Sequence, residues 1–325
     1  MMKARHTASA PAKVILFGEH FVVYGNRAIL AAINKRIRAT AGIIKPRKIV
    51  IRSDIGAAGV YSGRVFKALQ GGKRARALIE PIHDAARRAM GARDRESGID
   101  IDLRSEIPYG IGLGSSAASC VATVAAVGSL VGRHDRRWIC ESAVKSERII
   151  HKNSSGADCY ISTFGGIIRY SKMEGHEKIE SRKSLSIVIG NTRIKHSTGE
   201  LVAGVAKFRA KNQKEFREFL TRADEICSDA TTALKSGELE KLGLLMNENQ
   251  RLLQLIGVSN RKVDDLIRAC IAAGALGAKI TGAGGGGAVI ALAGNKKEST
   301  RIADSIREAG HDPIEAQIDY KGLIV

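Results

Sequence analysis

Residues 106–118 read Glu-Ile-Pro-Tyr-Gly-Ile-Gly-Leu-Gly-Ser-Ser-Ala-Ala, a run with the chemistry of a phosphate cradle. Gly110, Gly112 and Gly114 alternate, which lets the backbone approach a ligand closely. Ser115 and Ser116 stand where a helix would begin, and the first amides of a helix have no partner inside it. Those amides and the positive end of the helix suit an anion. Two other glycine motifs are excluded: a Walker loop requires Lys-Ser/Thr after its last glycine, and a dinucleotide fingerprint requires glycine where Ser115 stands. Taken alone, the run also reads as a tight strand-to-helix turn with glycines for packing.

A second group lies in residues 11–25, Pro-Ala-Lys-Val-Ile-Leu-Phe-Gly-Glu-His-Phe-Val-Val-Tyr-Gly. Lys13, Glu19 and His20 sit there among apolar strand residues, and charges in such a setting need partners. A phosphate or a hydroxyl-bearing ligand would supply them; singly, each reads as a strand-start cation or a surface turn. A third stretch, residues 279–287, Lys-Ile-Thr-Gly-Ala-Gly-Gly-Gly-Gly, formally contains G-x-G-x-x-G. It precedes a strand-like segment rather than a helix, so the dinucleotide reading is rejected.

The elements that must position these groups follow from periodicity. Residues 12–17 and 20–31 alternate around Gly18-Glu19-His20 and predict two strands joined by a polar turn. Further strands are predicted at 49–51, 98–104, 165–170, 185–189, 278–280, 288–292 and 313–318. Helices are predicted over 74–90, 117–130, from an Asp135 cap to Ile150, over 238–256 and 297–309, and over 259–273 with Ser259 as cap. A long amphipathic helix keeps its spacing from Phe216 to Leu234 and stops at Gly237. Residues 56–63 and 153–158 read as loops. Strands and helices mix without strict alternation, so the expected class is α+β. The charged stretch 172–183 is the expected boundary between two domains, residues 1–180 and 181–325.

At 325 residues the chain can bury a large core. The longest apolar run, residues 117–132, is too short to span a bilayer, and no secretory leader is read at the start; the expectation is a soluble, cytoplasmic protein with no membrane partner. Cys120, Cys140, Cys159, Cys227 and Cys270 are odd in number and scattered, so they read as reduced core thiols. Lysine and arginine exceed aspartate and glutamate by 52 − 33 = 19, which raises a nucleic-acid reading. The excess is spread out and aromatics are only 4%, so steering of anionic small substrates is a sufficient account and no nucleic-acid partner is expected.

The three stretches, in order, resemble the motifs of the small-molecule kinases grouped as galactokinase, homoserine kinase, mevalonate kinase and phosphomevalonate kinase, the GHMP kinases. Within the group, Phe-Gly-Glu-His-Phe-Val-Val-Tyr-Gly is most similar to the mevalonate kinase branch, and the resemblance runs from Pro11 to about Leu292. It implies a two-domain kinase with its site in the cleft between domains, transferring phosphoryl from ATP to the 5-hydroxyl of mevalonate with Mg2+; a homodimer is the one assembly considered, and the sequence leaves the oligomeric state open. Pro108, Gly110, Gly112, Leu113, Gly114, Ser115, Ser116 and Ala117 would then hold ATP. Glu147 and Asp158 have the spacing the family shows between its magnesium carboxylate and its catalytic aspartate, so Glu147 with Ser116 would hold Mg2+, and Asp158 with Lys13 would be catalytic. Lys13, Glu19, His20, Asp158 and Thr198 would meet the substrate. Lys195 and His196 are candidates for the mevalonate carboxylate. Without the resemblance, Glu147 reads as a solvated helix carboxylate, Asp158 as a turn aspartate and Thr198 as a helix cap. Lys152, Ser154, Cys159 and Gly199 depart from residues frequent in the family. The alternatives kept are another kinase of the same group and a basic nucleic-acid-binding protein.

Overall fold

A computed structural model of the chain describes residues 5–45, 47–91, 97–108, 110–149, 154–194 and 197–325. The fold is α+β, built on two sheets.

The first sheet holds β1 (Arg5–Phe17), β2 (Ala28–Ile44), β3 (Ile49–Ser53), β4 (Ala57–Ser62), β5 (Val65–Gln70), β6 (Gly98–Ser105), β7 (Ile167–Ser171) and β8 (Gly175–Ile179). Its order is β5-β4-β3-β6-β2-β7-β8, with β1 paired along β2. β3 and β6 are parallel, and the other pairs are antiparallel. The alternation in β6 is real: Ile99, Ile101 and Leu103 are buried, while Asp100 on the other face pairs with Arg5 and Arg52. Four helices accompany this sheet: α1 (Ala75–Met90), α2 (Ser115–Leu130), α3 (Arg136–Glu147) and α4 (Ala157–Phe164). α2 touches β1, β2 and the other three helices. It is buried from Ala117 to Ser129, as expected of a helix apolar all round rather than on one stripe.

The second sheet, in the order β10-β11-β9-β12, is antiparallel throughout. Its strands are β9 (Ser186–Asn191), β10 (Gly277–Thr281), β11 (Ala288–Ala293) and β12 (Asp312–Gln317). The accompanying helices are α5 (Thr198–Lys211), α6 (Gln213–Ser236), α7 (Leu239–Leu255), α8 (Arg261–Ala272) and α9 (Lys296–Glu308). β10 is an edge strand whose outward amides need partners. Asn247 Oδ1 accepts from the Ala278 amide at 3.0 Å and Gln250 Oε1 from the Ile280 amide at 3.0 Å, so α7 closes that edge. The helix lies so near that a Cβ on Gly277 would come 2.1 Å from the Gly243 carbonyl oxygen.

The chain then returns to the first sheet. Ile318 bridges to Ile33 and Ile324 to Ser9, and Asp319 pairs with Arg36. One hydrophobic core runs through both halves.

Several sequence expectations are corrected. Phe21–Tyr24 is a turn of 3-10 helix, not strand, because the chain must reverse between β1 and β2. Residues 57–62 form β4; their small residues gave no alternating signal, and pairing with β3 and β5 makes the strand. The polar stretch 153–158 gives way at Ala157 to α4. The cap of α8 is Asn260, whose Oδ1 accepts from the Val263 amide at 3.1 Å, and Ser259 instead donates to Asp264. β8 (Gly175–Ile179) is a hairpin arm of the first sheet inside the charged stretch 172–183, and it ends before the expected division after residue 180. Ile150 lies outside the described residues.

His83 on α1 is buried and stacked on Tyr61 at 3.7 Å. Burial first, then the charge of Arg87, holds its pKa down to about 4 from 6.5. Between these values the unfolded chain binds a proton that the folded chain refuses, so stability falls as pH drops through the window. Urea unfolding at pH 7 and pH 4.5 should show His83→Phe losing roughly 1–3 kcal/mol less than the parent chain. Equal losses in the two proteins would clear His83 of the acid sensitivity.

Candidate active site

The site is assembled where the three sequence motifs meet. β1 ends at Phe17, and Gly18 takes φ +89°, with no room for a side chain: a Cβ would come 2.3 Å from the Arg27 carbonyl oxygen. His20 then adopts φ 63°, a left-handed conformation that non-glycine residues rarely hold. It is fixed by donating from Nε2 to the Ala283 carbonyl at 2.8 Å. Burial pushes its pKa down, with that hydrogen bond opposing. A neutral ring with hydrogen on Nε2 has an acceptor at Nδ1.

Glu19 departs from the expectation of direct substrate contact. Its side chain has no exposure and is paired with the equally buried Lys279. Asn249 Nδ2 on α7 donates to its other oxygen at 3.3 Å. Burial raises the Glu19 carboxyl above its ordinary range against the opposing pull of Lys279, and lowers the Lys279 ammonium against that of Glu19.

In the glycine loop, Gly110, Gly112 and Gly114 take φ +80°, +85° and +72°. Gly114 caps α2 with its backbone alone, with no side-chain hydrogen bond to the first turn. The amides of Ser115, Ser116 and Ala117 therefore lie at the positive end of a 16-residue helix. Pro108 is exposed, Ser115 and Ser116 are partly exposed, and Leu113 and Ala117 anchor the loop in the core. The Leu113 carbonyl accepts from the Lys13 amide at 2.9 Å, which pins the loop to β1. The third motif closes from the other side. Thr281 Oγ1 accepts from the Ile15 amide at 2.8 Å and lies 3.1 Å from the Ile15 carbonyl oxygen. A Cβ on Gly282 would come 3.6 Å from the Gly112 carbonyl oxygen.

Lys13 is buried, and its Nζ lies 3.2 Å from Asp158 Oδ2. A Cβ on Gly114 would come 2.8 Å from Lys13 Cγ, so the missing side chain in the loop is the space through which Lys13 runs. Asp158 stands in the first turn of α4 and is the more exposed partner, 31% against 6%. That leaves the carboxylate, not the ammonium, facing open space. Glu147 ends α3 and is buried. Its Oε2 accepts from Ser154 Oγ at 2.7 Å and from the Cys159 thiol at 3.5 Å. Two of the family departures are thus direct partners of Glu147. Burial first, then Glu147, pushes the Cys159 thiol well up, so it stays protonated.

Thr198 is the first residue of α5 and exposed, while the cap is Ser197, whose Oγ accepts from the Glu200 amide at 3.3 Å. Among the described residues no hydrogen bond joins Thr198 to Asp158. Lys195, His196, Lys152 and Asn153 lie outside the described residues. Sequence reasoning missed Lys279 and Asn249 as the partners of Glu19; a lysine in the otherwise apolar run 278–280 was the available signal for the first.

The N-terminal domain model of GHMP kinases matches residues 77–166 and the C-terminal model residues 230–312. Mevalonate kinase of Pyrococcus furiosus is 40% identical, with 97% of each chain covered. The chain belongs to the mevalonate kinase family of GHMP kinases. The enzyme of Archaeoglobus fulgidus is 37% identical, covering 93% of this chain and 97% of its own. The solved structure of L. major mevalonate kinase in complex with R-mevalonate superposes with a TM-score of 0.82 at 26% identity, covering 97% and 96% of the two chains.

Removing one member of a fully buried ion pair leaves an uncompensated charge, at a cost of roughly 3–5 kcal/mol. Lys279→Met should lose about that much stability at pH 8 and recover part of it at pH 5. Burial already raises the folded pKa of Glu19, so with Lys279 gone the folded state binds a proton that the unfolded state lacks. Adding Glu19→Gln should restore stability and flatten the pH response. Urea titrations of the three proteins check this; a single-variant loss independent of pH would mean that Glu19 is not the stranded charge.

Proposed function

We propose that this member of the mevalonate kinase family transfers the terminal phosphoryl group of ATP to the 5-hydroxyl of mevalonate, with Mg2+ as the metal. The observation that carries the reading is the Lys13–Asp158 contact beside the glycine loop: a cation and a carboxylate held together next to an anion-binding helix end. Phosphoryl transfer is chiefly positioning and charge stabilisation, and this arrangement supplies both.

In this reading the amides from Gly110 to Ala117 wrap the ATP phosphates, with Pro108 at the entrance. Lys13 faces the transferring phosphoryl group and stabilises charge that grows on its oxygens. Asp158 accepts a hydrogen bond from the substrate hydroxyl and takes its proton as the new O–P bond forms. His20 offers Nδ1 to a substrate hydroxyl, and Glu19 acts through the turn that it holds. Thr198 contributes from the start of α5. Glu147 and Ser116 offer a carboxylate and a hydroxyl oxygen, the hard donors that suit Mg2+ beside phosphate oxygens. When bound, the ion supplies neutralisation of phosphate charge. The cytoplasm, where ATP is supplied and thiols stay reduced, is the matching compartment: all five cysteines are free and buried.

A positioned carboxylate base is worth about 10²–10⁴-fold, so Asp158→Asn should lower the single-turnover rate on mevalonate by that order, at saturating ATP and magnesium, with little change in ATP affinity. A rate within a few-fold of the parent enzyme would return Asp158 to a helix-start residue. Glu147→Gln should raise the magnesium concentration needed for half-maximal activity; an unchanged requirement would take Glu147 out of the metal site.

A further inference from the structure

A charged concavity away from the site has a volume of about 800 Å3 and is lined by Arg47, Lys48, Arg64, Arg87 and Arg88 together with Asp84. It lies where β3 and β6 begin, with Ile49 and Ile99 on adjacent strands in its wall. The glycine loop follows the other end of β6. That strand has 8 residues, which at about 3.3 Å each puts roughly 23 Å between its ends. The cavity is therefore separate from the glycine loop.

Among the described residues its charge is not balanced from within. Asp84 Oδ2 accepts from Arg88 Nε at 2.5 Å and from Ser146 Oγ at 2.8 Å, so that carboxylate is committed to Arg88. Among the described residues Arg47, Lys48, Arg64 and Arg87 form no ion pair. Four cations around one hollow focus a positive potential into it. The low pKa of His83 in the wall has burial as its first cause and Arg87 as its second, with Asp84 opposing. Apolar Ile49 and Ile99, with the Tyr61–His83 stack, form walls against which an uncharged portion could lie.

We propose that this cavity is a second anion site, which takes a small molecule carrying two or more phosphoryl groups. Four separate cations exceed what one monoanion can satisfy. An open hollow of the size that holds a small ligand fits such a molecule better than a nucleic-acid backbone, which needs an extended track. This goes beyond the kinase reading and does not depend on it.

Inorganic pyrophosphate is the probe, titrated calorimetrically at low salt without magnesium into the parent protein, Arg64→Ala/Arg87→Ala and Gly114→Val. The first variant removes two exposed side chains; the second obstructs the glycine loop at Lys13. Each arginine supplies charge-assisted hydrogen bonds to a phosphoryl group, so the arginine double variant should bind pyrophosphate at least about tenfold more weakly. Gly114→Val should retain that binding, and the double variant should keep the parent turnover and urea midpoint. Binding unchanged in the double variant, abolished in Gly114→Val, or absent from the parent protein would overturn the proposal. So would a single-stranded oligonucleotide that binds through Arg64 and Arg87 more tightly than pyrophosphate does.

Discussion

A lysine and a glutamate with no exposed surface have only each other and a few neutral dipoles to replace water. Taking two such charges into the interior costs several kcal/mol per ion before their attraction is counted. Glu19 comes from the turn after β1 and Lys279 from β10, 260 residues apart. Neither half can bury its charge without the other, so the first and third motifs have to arrive together. The pair sets the position of the turn in which His20 follows Glu19 and reaches the Ala283 carbonyl.

β1 is the common frame. Its Lys13 amide holds the glycine loop through Leu113, and its Ile15 backbone holds the third motif through Thr281. Lys13 then crosses the gap left at Gly114 to meet Asp158 on α4. A strand hydrogen-bonded along its length to β2 is rigid enough to fix both contacts. Functional side chains on such elements are placed more accurately than on loops.

The basic excess of this chain is compatible with an enzyme of anionic substrates. Many of its charges are locally paired, as Arg27 is with Glu174 and Asp224, and Arg222 with Glu225 and Glu248. Exposed pairs of this kind add little stability, but they keep much of the surface from presenting one sign. Against that background Arg47, Lys48 and Arg87, which form no ion pair among the described residues, stand out by their arrangement rather than their number.

The glycine loop between β6 and α2, the long helix ending at Gly237 and the strands β10 and β11 were legible in the sequence, because local periodicity and glycine chemistry dictate them. Residues 57–62 and the start of α4 were not, since small residues become a strand only through their neighbours, and a polar stretch can begin a helix as well as a loop. The resemblance set Lys13 with Asp158 and gave Glu19 to the substrate. Tertiary structure keeps the first pair in contact and decided that Glu19 turns inward to Lys279. The physical reason is that a charge in an apolar setting announces its need for a partner, whereas the identity of that partner depends on which distant strand is folded against it.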